Sequence, residues 1–344
     1  MRILITGATG FIGAAVARAL LDAGHQLCAL VRHDSDRINL DGLDVEPAPG
    51  DLRDAESLRR AMRGCSGLFH IAADYRLWAA NPKEIYDTNV TGTRNLLAAA
   101  AKAGIERIVY TSSVCTLGVS HDGTPADESS QARLVDQVCD YKRSKVLAEH
   151  EVRRFIDDER LPIVIVHPST PVGRGDIKPT PTGRMIREAA LGRIPAYVDT
   201  GLNIVHVDDV AAGHLLAFDK GVVGERYILG GTNLNLVEVL AIIADLTGQR
   251  PPTIRLPRNL VLPIAYLSEL WAGMVTGREP LTTVAGVRMA RHCMFYSSAK
   301  AECELGYRAR APRAALADAV AWFVALQSAP HARPAFGEAL RLRP

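Results

Sequence analysis

No stretch of this chain offers the roughly 20 uninterrupted apolar residues needed to cross a bilayer. The nearest, NLVLPIAYLSELWAGMV (259–275), is broken by Pro263 and Glu269. It reads as a core helix, with a greasy surface helix or the wall of an apolar pocket as the other readings. Charge imbalance is missing too: 40 basic against 38 acidic residues leave a net +2. Without a basic block, nothing points to a nucleic-acid partner. The six cysteines, Cys28, Cys65, Cys115, Cys139, Cys293 and Cys303, show neither metal-ligand nor disulfide-ladder spacing. They imply reduced thiols, no metal and a cytoplasmic protein. No export signal is expected either. MRILITGATGF starts with charge and an apolar run, but breaks at Gly7 with no cleavage pattern, as a buried first strand would.

What is present is a large apolar fraction, 48% of 344 residues, enough for a well-buried core. The first half repeats one unit, a β-branched run, a turn and a helical pattern. RILIT leads to a helix over about 11–23; QLCALV, DVEPAPGDL, GLFHIAA, the helix NVTGTRNLLAAAAKAG and RIVYTSS follow. Strands without polar alternation belong to a parallel sheet covered on both faces. The predicted class is therefore α/β, a Rossmann-type doubly wound parallel sheet with ligands at the strands' carboxyl ends. A Pro/Gly-rich loop, GRGDIKPTPTGR, changes the texture and opens a smaller mixed α/β substrate-binding lobe. The expected division is 1–170 for the dinucleotide, 171–330 mainly for substrate with segments returning to the first domain, and a loosely packed tail at 331–344. LNIVHVDDVAAGHLLAF reads as a strand running into a helix capped by Asp208 or Asp209. PRAALADAVAWFVAL reads as the closing helix.

TGATGFIG follows the first strand and opens the first helix. Gly7, Gly10 and Gly13 allow a tight turn and close approach of a pyrophosphate, and Thr9, Phe11 and Ile12 share that turn. The second strand ends at Val31, where no carboxylate stands to accept ribose hydroxyls. Arg32 follows, and its planar fork suits a 2′-phosphate; Arg37 could add a second contact. NADP(H) is the expected cofactor, with NAD(H) open and two solvated surface arginines as the alternative. Asp51 and Leu52 are placed at the adenine edge, and the small pair Ala72–Ala73 leaves room for the cofactor. His70 reads as a packed strand histidine.

DYKRSK sets Tyr141 and Lys145 four apart on a helix, hence on one face. Free tyrosine, with a pKa of about 10, is a poor base at neutral pH. A lysine ammonium one turn away favours its phenolate and could hold the cofactor ribose. TSSVCTLG brings two hydroxyls to a strand end, where Ser113 can orient a substrate carbonyl or hydroxyl.

In this order, TGATGFIG, the serine-bearing strand end and YKRSK resemble the extended short-chain dehydrogenase/reductase family across nearly the entire chain. The resemblance implies Ser113, Tyr141 and Lys145 as the catalytic triad, with neighbouring Ser112 the competing choice of serine. It also implies Asn89, in NVTGT, as a support of the site, and Pro168, Ser169 and Thr170 beside the nicotinamide. A homodimer joined through helices near 89–103 and 141–157 follows from it as well. ADYRLWA, HPSTPVGRGDIKPTPTGR and ERYILGG are similar to the bacterial hopanoid-associated sugar epimerases, themselves similar to dihydroflavonol 4-reductases. This implies a role near hopanoid biosynthesis, and a place at the membrane periphery if the substrate is such a lipid.

Two reactions fit these residues. In a reductase, NADPH gives hydride to a carbonyl carbon while Tyr141 protonates the oxygen. In an epimerase, the same groups oxidise a sugar transiently and return the hydride to its other face. Arg32 favours the reductase; a scaffold or sensor that binds dinucleotide without turnover is the third reading. Tyr75, Trp78, Tyr197 and Met185 are expected near the cleft mouth, stiffened by Pro179 and Pro181, which suits a hydrophobic or hopanoid-related substrate. Arg184, Arg226, Arg288 and Arg291 are candidate anion contacts for a nucleotide sugar, or else surface charges and loop clamps.

Overall fold

The computed structural model describes residues 1–119, 123–272, 274 and 283–328; the expected tail at 331–344 lies outside them. The β-branched runs form β1 (Arg2–Thr6), β2 (Gln26–Val31), β3 (Val45–Pro49), β4 (Gly67–His70), β5 (Arg107–Thr111) and β6 (Ile163–Pro168). After β6 come β7 (Thr170–Val172), β8 (Ala196–Tyr197), β9 (Gly201–His206) and β10 (Arg226–Leu229). One seven-stranded sheet runs β10-β6-β5-β4-β1-β2-β3, parallel throughout. Its strand order reverses between β1 and β4, the switch point where such sheets hold ligands. Burial on both faces explains the runs: β1, β2, β4, β5 and β6 are almost wholly buried, with Ile3, Ile5, Ala29 and Phe69 on one core and Leu4, Leu68, Ile108 and Ile163 on the other.

Helix α1 (Phe11–Asp22) opens at the glycine turn; α2 (Ala55–Ala61) and α3 (Lys83–Tyr86) follow. A π-helical turn over Asp87–Thr91 leads into α4 (Gly92–Ala103), and α5 (Asp140–Asp157) carries the tyrosine. After α6 (Pro181–Ala190), β9 runs straight into α7 (Val207–Lys220). That helix is capped by His206, whose Nδ1 accepts from the Asp208 N–H at 3.0 Å, and not by Asp208 or Asp209 as expected. The carboxylates are drawn to arginines instead: Asp209 takes Arg310 at 2.7 Å and Asp208 takes Arg174 at 3.3 Å.

The smaller region is mixed. β11 (Thr232–Asn235) pairs antiparallel with β9, while β7 and β13 (Cys293–Met294) pair with it in parallel. β12 (Ile254–Arg255) pairs with β8. Helices α6, α8 (Leu236–Thr247) and α12 (Pro312–Ser328) enclose a separate core around Ile186, Ile243 and Phe323. Met185 packs on this core. The apolar run after Asn259 forms α9 (Arg258–Trp271), and its reading as a core helix is overturned. One stripe, Val261 and Ala265, packs on Val284 and Val287 of α10 (Val284–Met289); the stripe of Leu260, Ile264, Leu267 and Trp271 is exposed. Hydropathy alone could not say how many partners the helix would find. Fourteen residues span about 21 Å, and among the described residues no helix is long and apolar enough to cross a membrane.

Candidate active site

At the head of α1 the chain turns through Gly7, which sits in the left-handed region at φ 77°. A Cβ there would stand 2.6 Å from the Ala72 nitrogen, and one on Gly13 would stand 2.1 Å from the Gly7 oxygen. Only glycine fits either place. No side chain caps α1 at Gly10, so the positive helix end is left to an anion. Thr9, Phe11 and Ile12 lie on this turn. Asn39, which the sequence offered no signal to single out, is buried beside it. Its Nδ2 donates to the oxygens of Thr9 (3.2 Å) and Gly175 (3.1 Å), while its Oδ1 is buried without a partner among the described residues. A glycine cradle with a buried, unused acceptor at its rim fits a dinucleotide.

Around the cradle, Thr6 Oγ1 accepts from the backbone N–H groups of Ile71 and Ala72, both at 3.2 Å, drawing the Ala72–Ala73 pair against the turn. His70 is fully buried between Thr6 (2.8 Å) and Thr93 (2.9 Å), and burial lowers its pKa to about 3. Arg32 and Arg37 lie in the loop after β2. Arg32 is exposed, 3.4 Å from Asp34. Asp51 holds Arg53 at 2.7 Å, and that ion pair keeps its carboxyl below the ordinary value. Leu52 is buried against α4 at Gly92. Ser169 donates to the Asn203 oxygen at 3.0 Å, which fixes the Pro168–Thr170 segment where β6 passes into β7.

Tyr141, Lys145 and Glu149 recur at four-residue spacing along α5, and so share one face. Ser113 is the serine whose hydroxyl influences the Tyr141 phenol, and its Oγ also accepts from the Cys115 N–H at 3.3 Å. Burial pushes the phenol well above its usual value, nearby Cys115 adds to this, and the Ser113 hydroxyl opposes it. The Lys145 ammonium donates to the Thr111 oxygen at 2.8 Å and lies 5.0 Å over the Tyr110 ring. Burial lowers its pKa to about 8.

Ser112 points the other way, because consecutive residues at a strand end face opposite sides. It donates to Glu149 Oε2 at 2.5 Å. Thr116 Oγ1 lies 2.8 Å from the same oxygen and 2.9 Å from the Ser113 carbonyl, and His167 Nε2 lies 3.0 Å from the carboxylate. Glu149 therefore clamps both flanks of Ser113 to the helix that bears Tyr141. Burial alone would raise its carboxyl, but His167, Ser112 and Thr116 together hold it well below the ordinary range. Its spacing from Lys145 was visible in the sequence; its partners, scattered over three other segments, were not.

Asn89 works similarly from the other side. Its Nδ2 donates to Ser144 Oγ (2.8 Å) and to the Asp74 oxygen (2.9 Å), and its Oδ1 accepts from the Asp74 N–H at 2.7 Å. Arg226 serves as a clamp, donating to the Glu128 oxygen and lying 3.8 Å from Glu149. Arg288 meets the Tyr266 hydroxyl, and Arg291 is exposed. Tyr75 donates to the Lys178 oxygen at 3.1 Å, tying the segment after β4 to the proline-rich loop. Trp78 and Tyr197 are half-buried, the latter within β8, and Arg184 lies on α6 near buried Asp176.

Comparison with known proteins places this geometry. Residues 3–230 match the model of the NAD dependent epimerase/dehydratase family. The chain is 47% identical over 323 residues to a Synechocystis protein named "Putative dihydroflavonol 4-reductase", covering 93% of each chain. It is 38% identical over 325 residues to sterol demethylase protein B of Methylococcus capsulatus, covering 94% of this chain and 98% of that one. A crystal structure of a nucleoside-diphosphate-sugar epimerase from Pseudomonas aeruginosa superposes with a TM-score of 0.79 at 28% identity, over 94% of this chain and 98% of the other.

Proposed function

The chain belongs to the NAD dependent epimerase/dehydratase family and is an enzyme of NAD(P)-dependent oxidoreductase or epimerase chemistry; from that premise we propose that it interconverts an alcohol and a ketone on an apolar, ring-shaped substrate. Residues 1–170 hold the dinucleotide in this reading and 171–330 supply most of the substrate side. The observation that carries it is Ser113, just past the carboxyl end of β5, acting on the buried Tyr141 phenol in a parallel sheet whose first strand opens into the glycine turn. The dinucleotide, when bound, supplies or takes up the redox equivalent. Gly7, Gly10, Gly13 and the head of α1 would hold its pyrophosphate, Arg32 would meet the ribose phosphate of NADP(H), and Lys145 would hold the ribose. Tyr141 gives its phenolic proton to the substrate oxygen, or removes it in reverse, and Ser113 orients that oxygen. A phenol raised by burial stays protonated at neutral pH, as a donor should.

Two relatives support net redox chemistry on such a substrate. One is named for reduction of a dihydroflavonol and one for sterol demethylation. A hopanoid-related triterpenoid belongs to the same class of fused apolar rings. The second reading is a sugar epimerase, and the family description together with the Pseudomonas structure weighs toward it rather than toward net reduction. Both use Tyr141 in the same place. A stoichiometric assay on triterpenoid ketones and nucleotide sugars separates them. Consumption of NADPH equal to product formed supports the reductase; isomerised sugar without net cofactor use overturns it in favour of the epimerase.

A further inference from the structure

Helix α9 turns to solvent what a core helix would bury. Leu260, Ile264, Leu267 and Trp271 recur at spacings of four, three and four residues, so they form one stripe, and Tyr266 lies beside it. These five side chains are between 48% and 67% exposed. The flanking sequence is equally one-sided in charge. Residues 248–294 hold six arginines against two glutamates, although the whole chain is only +2. Arg250, Arg288 and Arg291 are exposed, and Arg288 donates to the Tyr266 hydroxyl at 2.7 Å, beside the apolar stripe.

We propose that α9 is a bilayer-docking element that lays its exposed apolar stripe into the surface of an anionic membrane, with the neighbouring arginines on the lipid phosphates. An apolar stripe with an arginine beside it and an arginine-rich flanking sequence, and with a tyrosine and a tryptophan carrying polar tips, is the composition of helices that lie in the interfacial plane. Its length, about 21 Å, is short of the roughly 30 Å hydrocarbon core, so it rests on the bilayer and does not span it. A second copy of the chain is the poorer occupant. A two-fold contact through this face would bring two like-charged segments together, each with six arginines against two glutamates. The proposal deepens the apolar-substrate reading, because a membrane-resident triterpenoid would be met at that surface. Its test needs no turnover, so either idea can fail while the other stands.

The test is flotation of the full chain with phosphatidylcholine vesicles, with and without phosphatidylglycerol, at low and high salt. The expected result is binding to the anionic vesicles that weakens with salt. Ile264→Ser with Leu267→Ser should reduce it roughly tenfold or more. Arg250→Gln with Arg291→Gln should lower it and flatten its salt dependence, and NADPH affinity should be unchanged in all variants. Three results would overturn the proposal: no co-flotation of the parent chain, equal binding by the leucine/isoleucine double variant, or a dimer in sedimentation velocity that the same double variant dissociates.

Discussion

Ser112 Oγ donates to Glu149 at 2.5 Å, while Ser113, the next residue, acts on the Tyr141 phenol. Two adjacent hydroxyls thus have separate duties, one holding the turn in place and one facing the chemistry. Their substitutions should part cleanly. Ser113→Ala should lower kcat by about a hundredfold with an unchanged thermal midpoint. Ser112→Ala should instead cost about 1–3 kcal/mol of stability, since it leaves the Glu149 carboxylate short of a donor. Kinetics and thermal melts on both variants decide it; the reverse pattern would exchange the assignments.

Tyr141→Phe keeps the helix and its packing but removes the proton. Cofactor affinity, read by fluorescence titration, should stay within about twofold, and turnover should fall by a factor on the order of 10² to 10⁴. A variant as fast as the parent would remove Tyr141 from the mechanism.

Arg32 is exposed and tied only loosely to Asp34, so it is free to turn to a phosphate. Arg32→Ala should weaken NADPH binding about tenfold or more and leave NADH nearly unaffected. The ratio of the two dissociation constants is the measurement, and an unchanged ratio would refute the phosphate clamp.

Burial lowers Lys145 to about 8, so its ammonium is lost as pH rises through that value rather than near the usual 10.5. Turnover that requires the ammonium should decline above about pH 8. Glu149→Gln removes a nearby negative charge that supports the ammonium, and should shift this limb to lower pH. It should also reduce kcat more than the KM for cofactor, because the Ser113 turn loosens. A pH–rate profile that is unmoved by the substitution would reduce Glu149 to a packing residue.

His70 and His214 are held uncharged by burial, with pKa values lowered to about 3 and about 4. The unfolded chain binds those protons near 6.5, so it carries more protons than the native state throughout the interval. Stability should therefore be highest above about pH 6.5 and fall as pH drops toward 4, by on the order of a few kcal/mol per histidine. Urea midpoints across that range test this, and His214→Gln should show a shallower fall.

The glycine turn, the parallel strands and the Tyr141–Lys145 pair were legible because each is a local pattern, set by spacing along one strand or helix. What was not legible depends on distant neighbours. Which of Ser112 and Ser113 faces Tyr141 is decided by Glu149, Thr116 and His167, brought together only by β5, β6 and α5. That the Lys145 ammonium donates to the backbone oxygen at the end of β5 also depends on a neighbouring strand. The capping of α7 by His206 went unseen because an Asp in the first turn is ordinarily the better cap, and here both are taken by arginines. For α9, periodicity marked an apolar helix and tertiary packing decided which stripe stayed bare.

Asn39 reaches from the loop after β2 to the backbone of Thr9 in the glycine turn and to Gly175 in the proline-rich segment. The loop that carries Arg32 is thus not an interchangeable cassette. Grafting a different 32–41 sequence to redirect cofactor choice would also cut a strut between two distant segments of the chain. Point substitution at Arg32, with Asn39 retained, is the edit that leaves the frame standing.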